Sequence, residues 1–353
     1  MKKFAVFSGF LGSGKTTTMM ALTEYYTENS ELAAMISNDL GHLELADNKY
    51  AQLSGIKASE LVGECICYQT ENLVARLDRL FDEEDCELVI SDIPGFGVGA
   101  LEHVYHTLEA QYTGRYDLAP FTVLVEPRTL EMLESDSGGD LEYILRTQLV
   151  EADLIVLNKC DLLSESQQAE KTAWLAENFP QAELVAISAL NGQGIDRLAQ
   201  ALRNGKASLR RPDIGYGGEA FMAAMGKISE YYVQYFASVC CDNFDGNAYL
   251  AAIAGKIGEA LCTEGGDMPH LKLLAWEPEG DYAKADYLGI ERPLEFAKYF
   301  SRPCTELAVM LNGSAVCPGD KLEALMQEAV ETVSQKFNLT VYIHKKECFG
   351  MGQ

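Results

Sequence analysis

Three short stretches carry residue types suited to handling a triphosphate. Gly9-Phe10-Leu11-Gly12-Ser13-Gly14-Lys15-Thr16 has the spacing G-x-x-x-x-G-K-[ST]. Glycines at these places let the backbone curl until its N–H groups point inward at phosphate oxygens. Gly12, Ser13, Gly14, Lys15, Thr16 and Thr17 are therefore expected against the phosphates. The Lys15 ammonium would reach the β- and γ-phosphates, and the Thr16 hydroxyl would ligate Mg²⁺. Asp92-Ile93-Pro94-Gly95 adds a carboxylate for the Mg²⁺ shell and, at Gly95, an N–H for the γ-phosphate. Asn158-Lys159-Cys160-Asp161 would choose the base. A carboxylate at Asp161 accepts from the N1 and N2 groups of guanine, and adenine offers no such donor pair. The Lys159 stem can lie along the base, with Ser188 and Ala189 supporting it from the next loop. Lys15, Thr16 and Asp92 form the expected catalytic set, acting by positioning and charge stabilisation on an ordered water.

A fourth stretch, Gly63-Glu64-Cys65-Ile66-Cys67-Tyr68, suggests other chemistry. Cysteines one residue apart place both thiolates on one side of an extended segment, where they can share a metal ion. Glu64, Asp39, His42 and Glu44 are the candidates to complete such a set. The alternative is that Cys65 and Cys67 are small apolar groups packed on a sheet. His103 and His106, three apart on one helical face, are weaker ligand candidates. Cys240 and Cys241, adjacent on a strand, would point to opposite faces.

These groups need a scaffold that brings strand ends together. "FAVFSG", "AAMIS", "LVISDI", "FTVLVEP", "LIVLNK" and "ELVAIS" are short and apolar nearly throughout, as parallel strands buried on both faces must be. Helical stretches such as Gln167–Asn178 and Ile195–Arg203 alternate with them. The pattern predicts an α/β fold: a P-loop NTPase with a mostly parallel sheet and helices on both faces over residues 1–205. The glycine-rich segment 206–225 is expected to be a linker. Residues 226–353 predict a smaller α+β domain for recognising a client. In it, Asn247 caps a helix, Asp320 and Glu323 form a capping box, and "ISEYYVQYFASVCC", "HLKLLAW", "TELAVML" and "LTVYIH" are strands.

With 53 acidic against 28 basic residues, the chain carries a net charge of −25. Such a surface repels phosphate backbones and anionic lipid, so no nucleic acid and no membrane is expected as a partner. No run reaches the length of a transmembrane helix, and the N-terminal apolar run is too short and glycine-broken for a signal peptide. A cytoplasmic protein with reduced thiols is expected.

"SGFLGSGKTT", the cysteine motif behind a glycine, "NKCD" and "SALNGQGID" together resemble the CobW-type metallochaperone GTPases. These are SIMIBI-class P-loop GTPases related to the accessory GTPases for nickel insertion into urease and hydrogenase. In that family a CxCC motif binds a transition metal beside the nucleotide, and the nucleotide state controls capture or release. Here Tyr68 stands at the third cysteine, and Asp39 stands where a glutamate is usual. The resemblance implies a GTP-hydrolysing metallochaperone or metallocofactor-maturation factor. It would use GTP/GDP and Mg²⁺ and carry Zn²⁺, Co²⁺ or Ni²⁺ on Cys65, Cys67 and Glu64 to a client metalloprotein or cofactor enzyme. Two readings stay open beside it: a metal-free regulatory GTPase, and a GTP-dependent helper that loads or reactivates a corrinoid (cobalamin) enzyme. A GTP-dependent dimer is likewise open.

Overall fold

A computed structural model describes residues 2–135, 140–240, 242–263, 267–278, 280–289 and 294–350. The chain divides into two compact units. The first comprises Met1–Leu40 and Ser54–Ala224; the second comprises Gly41–Leu53 and Met225–Gln353.

Up to the boundary the elements are β1 (Lys3–Gly9), α1 (Lys15–Glu28), β2 (Ala33–Asn38), α2 (Ala46–Leu53), β3 (Ala58–Leu61), α3 (Thr70–Asp78), β4 (Leu88–Asp92), α4 (Thr107–Gln111), β5 (Asp117–Leu118), β6 (Thr122–Val125), α5 (Pro127–Glu134), α6 (Asp140–Glu151), β7 (Leu154–Leu157), α7 (Glu165–Asn178), β8 (Glu183–Ala186), α8 (Ile195–Asn204) and α9 (Glu219–Met225). The strands of the first unit form one parallel sheet in the order β3-β2-β4-β1-β6-β7-β8, with β5 paired to β1. Phe4, Ala5, Val6 and Phe7 of β1 are wholly buried, as are Leu88, Val89 and Ile90 of β4. Helices on both faces leave no polar side for these strands, so their sequences run apolar without alternation. The expected helix Gln167–Asn178 begins earlier, at Glu165, because Ser164 and Gln167 form a reciprocal capping box. In such sheets ligands bind at the carboxyl ends of the strands. Gly9, Asn38, Leu61 and Asp92 all occupy that edge.

The second unit continues with β9 (Ile228–Ser238), α10 (Gly246–Thr263), β10 (Asp267–Trp276), β11 (Tyr282–Tyr287), β12 (Glu295–Lys298), β13 (Glu306–Val316), α11 (Gly319–Lys336) and β14 (Thr340–Gly350). Its sheet runs β12-β11-β10-β13-β9-β14, antiparallel at every pairing. Leu250, Ile253, Ile257 and Leu261 of α10 join Leu322, Met326, Val330 and Val333 of α11 in a core with Tyr235, Leu273, Val309 and Leu311 of the sheet. A smaller cluster joins Ala46 of α2 to Leu274, Tyr282 and Met310, flanked by Tyr50, Leu53 and Trp276. Asp47 pairs with Lys272, and His42 donates its backbone N–H to Glu347 Oε2 at 2.8 Å.

Three expectations need correction. The contiguous division into 1–205, 206–225 and 226–353 omits the excursion of Gly41–Leu53 into the second unit, and residues 206–224 group with the first. Asn247 does not cap α10. The Asp245 carboxylate accepts the N–H groups of Asn247 and Ala248, while the Asn247 amide bonds the Phe300 backbone. Asp320 and Glu323 form no capping box: α11 starts at Gly319 behind Pro318, and Glu323 takes Lys346 and Gln327 instead. Cys241 lies outside the described residues. Among the described residues no helix is long and apolar enough to cross a membrane.

Candidate nucleotide and thiol site

The loop after β1 curls as its glycines allow. Gly12 and Gly14 both take positive φ, and α1 starts at Lys15. Gly14 has no room for a side chain, because a Cβ would lie 2.3 Å from Asn158 Nδ2. The same Asn158 amide donates to Ser13 O at 2.8 Å and accepts from Ala189 N at 3.1 Å. It therefore pins the phosphate loop to the loops after β7 and β8. Lys15 Nζ lies 2.6 Å from Gly9 O. Among the described residues the buried Ser13 hydroxyl has no hydrogen-bond partner, which leaves one polar group in the cradle for a phosphate oxygen or a water. Asp161 accepts from the Ser188 hydroxyl. Lys159 holds a left-handed backbone (φ 59°) at this turn. Leu162 and Leu190 beside these loops are among the most exposed apolar side chains.

Asp92 ends β4, buried, and its Oδ1 accepts the Asn38 N–H at 2.8 Å. With Thr16 at the head of α1, the donors here are a hydroxyl and a carboxylate, which suit Mg²⁺ rather than a soft ion. Gly95 is fixed from two sides. A Cβ on it would meet Leu11 Cδ2 at 2.2 Å, and Gln148 of α6 donates to its carbonyl at 3.0 Å and to Gly97 O at 2.9 Å. One turn on, Glu151 accepts the Gly99 N–H at 2.7 Å and the Leu101 N–H at 3.4 Å. Burial pushes the Glu151 carboxyl up to about 7, although both N–H groups and the nearby Arg210 pull it down.

Cys65 and Cys67 do come together. Cys65 opens a short 3₁₀ turn, Ile66–Tyr68, and its sulfur accepts the Cys67 N–H. The two sulfurs lie 2.9 Å apart. The hydrogen bond from Cys65 and then burial hold the Cys67 thiol well above its ordinary range. Glu64 contributes its backbone: its carbonyl accepts from Asn38 Nδ2 at 2.9 Å and Gln69 Nε2 at 2.6 Å. Among the described residues no three His, Cys, Asp or Glu side chains gather as a metal site. Of the suggested helpers, the His42 ring pairs with Glu347 and Asp39 Oδ1 accepts the Leu40 N–H at 2.9 Å, while Glu44 is held through its backbone carbonyl, which accepts from Gln234. His103 and His106 do not act as a pair. The His103 ring packs 4.8 Å from Tyr216, and His106 Nε2 meets Arg210 O at 3.2 Å. Tyr68, at the third-cysteine position, is mostly exposed and hydrogen-bonds the Tyr216 hydroxyl.

The sequence gives no role to Gln148, Glu151 or Tyr216. Asn38 carries one signal, since Asn38-Asp39-Leu40-Gly41 resembles the first switch segment of the CobW-type GTPases. Gln148 and Glu151 sit in an ordinary amphipathic helix, and Tyr216 in a glycine-rich stretch that carries no periodicity.

A parallel sheet with a phosphate loop after its first strand and an Asn-Lys-x-Asp turn after a later one defines a P-loop nucleotide-binding unit. The family description "CobW/HypB/UreG, nucleotide-binding domain" matches residues 3–186, more than half of the chain, and the chain belongs to that family. It is 27% identical over 187 residues to the zinc chaperone YeiR of Escherichia coli (strain K12), covering 52% of this chain and 55% of that protein. It is 26% identical over 131 residues to the GTPase Era of Geotalea uraniireducens, covering 36% of this chain and 41% of that one. The chain thus spans about half the length of the curated relatives it matches. Among solved structures, the hydrogenase maturation factor HypB from Archaeoglobus fulgidus is similar over 57% of this chain and 89% of its own, at 21% identity and a TM-score of 0.39. The Zn(II)-bound YjiA GTPase from E. coli is similar over 92% of this chain and 98% of its own, at 16% identity and a TM-score of 0.38.

Proposed function

We propose that this protein is a GTP-hydrolysing metallochaperone, in which the nucleotide state sets how tightly Cys65 and Cys67 hold a transition-metal ion destined for a client protein. The observation that carries the reading is the pair of sulfurs 2.9 Å apart on a turn hydrogen-bonded to Asn38, whose own N–H is bonded to Asp92. The relative described as a zinc chaperone favours zinc as cargo, and thiolates suit zinc, with cobalt and nickel next. Lys15, the loop N–H groups and the Gly95 N–H orient the triphosphate. Asp161 and Asn158 select guanine. Thr16 and Asp92 would hold Mg²⁺, which supplies charge neutralisation at the β/γ-phosphates. The second unit recognises the client. The work is cytoplasmic, and a dimer formed on GTP is compatible with it.

A metal-free GTPase switch is the second reading. It is favoured by the cysteines' lack of a third side-chain ligand among the described residues. Zinc titration by competition with a chromophoric chelator separates the two. The chaperone reading expects a tighter complex with a non-hydrolysable GTP analogue than with GDP, and weaker complexes in both states in Cys65→Ser and Cys67→Ser. Equal affinity in both nucleotide states, or serine variants as tight as the parent, leaves the metal-free switch. A corrinoid-enzyme helper would bind no free zinc at all and would keep its client activity in the serine variants.

A further inference from the structure

Asn38 is the last residue of β2 and is 3% exposed. Its main chain and its side chain face two different tasks. The backbone N–H donates to Asp92 Oδ1 at 2.8 Å. The side-chain Nδ2 donates to Leu61 O and to Glu64 O, both at 2.9 Å. The side-chain Oδ1 accepts the Ile66 N–H at 2.9 Å. Glu64 O and the Ile66 N–H bracket Cys65. One buried amide therefore fixes the peptide units on both sides of the first thiol, and the same residue's backbone holds the carboxylate at the end of β4.

The chemistry of the contact selects asparagine. The site needs two N–H donors and one acceptor on a short arm. Aspartate keeps the acceptor and loses both donors. Alanine loses everything and leaves the buried Ile66 N–H without its partner, which is costly in a dry site. Gln69 Nε2 steadies the same turn from its far side, through Glu64 O and, at 3.2 Å, Val62 O.

We propose that Asn38 is the positioning residue that couples Asp92 to the Cys65–Cys67 turn, so that a change at the nucleotide site reaches the thiols through this one side chain. A shift of the Asp92 carboxylate moves its hydrogen-bonded partner, the Asn38 N–H. The amide then carries that movement to the carbonyl before Cys65 and the N–H after it. The inference rests on the proposed nucleotide site. It does not need the cysteines to bind metal.

The test reads the thiols directly and without metal. The rate of Cys65 alkylation by iodoacetamide is measured by mass spectrometry in the full-length protein, with GDP and Mg²⁺ and then with a non-hydrolysable GTP analogue and Mg²⁺. The native protein is expected to show a ratio of at least about 5 between the two states, the low end of ordinary coupling between sites. Asn38→Ala is expected to bring that ratio to about 1 while GDP affinity stays within about threefold, since the backbone N–H to Asp92 remains. Asn38→Asp, close in shape and keeping the acceptor, should fall between them and keeps the test alive if the alanine variant does not fold. A native ratio near 1, or variants that keep the native ratio, overturns the proposal. Zinc binding to the native protein is scored separately. Its absence, with the alkylation ratio intact, refutes the chaperone reading and leaves the Asn38 coupling supported.

Discussion

The phosphate loop and the cysteine turn lie at the same edge of one parallel sheet, and they are built in opposite ways. The loop is set by its own backbone, by glycines that no other residue can replace, and by one clamp, Asn158. The turn depends on side chains outside it, Asn38 from 26 residues before Glu64 and Gln69 from just beyond the turn, and among the described residues it offers two thiols with no third side-chain ligand. The first is a preformed receptor, and the second is a partial one whose shape is on loan from its neighbours. A partial receptor binds weakly until something else meets its ordering cost, and that is how a binding site becomes controllable.

The largest effect should fall on the preformed site. Lys15→Ala is expected to cut GTP hydrolysis by on the order of 10²–10³, about 3–4 kcal/mol, with the melting temperature unchanged. A variant that hydrolyses GTP at the native rate would break the comparison at its stronger end. Next comes the base. Asp161→Ala should weaken GTP by about 2–4 kcal/mol, because the guanine donors lose a charged acceptor. Competition between GTP and ATP on the native protein checks the same point, and equal affinities would remove it.

The two units should also answer acid in opposite directions. The folded Glu151 carboxyl sits near 7 against an ordinary value of 4.5. Between those values the folded first unit holds the extra proton, so its stability falls as pH rises through that window. In the second unit, burial lowers His270 from 6.5 to about 4, against the opposing pull of Asp286. There the unfolded chain holds the extra proton, so stability is lost as pH falls from 6.5 towards 4. Going from pH 7 to pH 5 is expected to stabilise the first unit and weaken the second, each by about 2 kcal/mol. Hydrogen exchange read unit by unit measures this, and Glu151→Gln and His270→Gln should flatten their respective slopes. Shifts of the same sign in both units would count against it.

The smallest effects concern ligand number. Cys65→Ser and Cys67→Ser should each weaken zinc by about tenfold or more, roughly 1.4 kcal/mol. Tyr68→Cys supplies the third thiol and should tighten zinc by a similar factor. Unchanged affinity in the tyrosine variant would mean that the turn cannot present a third ligand.

The first unit was legible because doubly buried strands leave an unbroken apolar signature and the phosphate motif follows one of them. The half-exposed edge strand β3 left no such mark. In the second unit, β11 escaped because its buried positions include Lys284, neutralised by Asp286, so burial there does not look apolar. α2, "ADNKYAQL", reads as a polar stretch, because the partners of its Asp47 and Ala46 lie on strands far along the chain. The two cysteines could be found by spacing. The amide that holds them could not, since a lone asparagine at a strand end has many ordinary uses.

The excursion of Gly41–Leu53 bears on how the protein is made. His42 is bonded to Glu347, 305 residues later, and Asp47 to Lys272, 225 residues later. At roughly 5–20 residues per second, a ribosome needs about 15–60 s to make the second member of the His42 pair after the first. For most of that interval Ala46, Tyr50 and Leu53 have no sheet to cover, because Leu274, Tyr282 and Met310 are themselves made late. The earliest-made part of the second unit must therefore wait for β10, β11 and β13, and its His42 bond to Glu347 for β14.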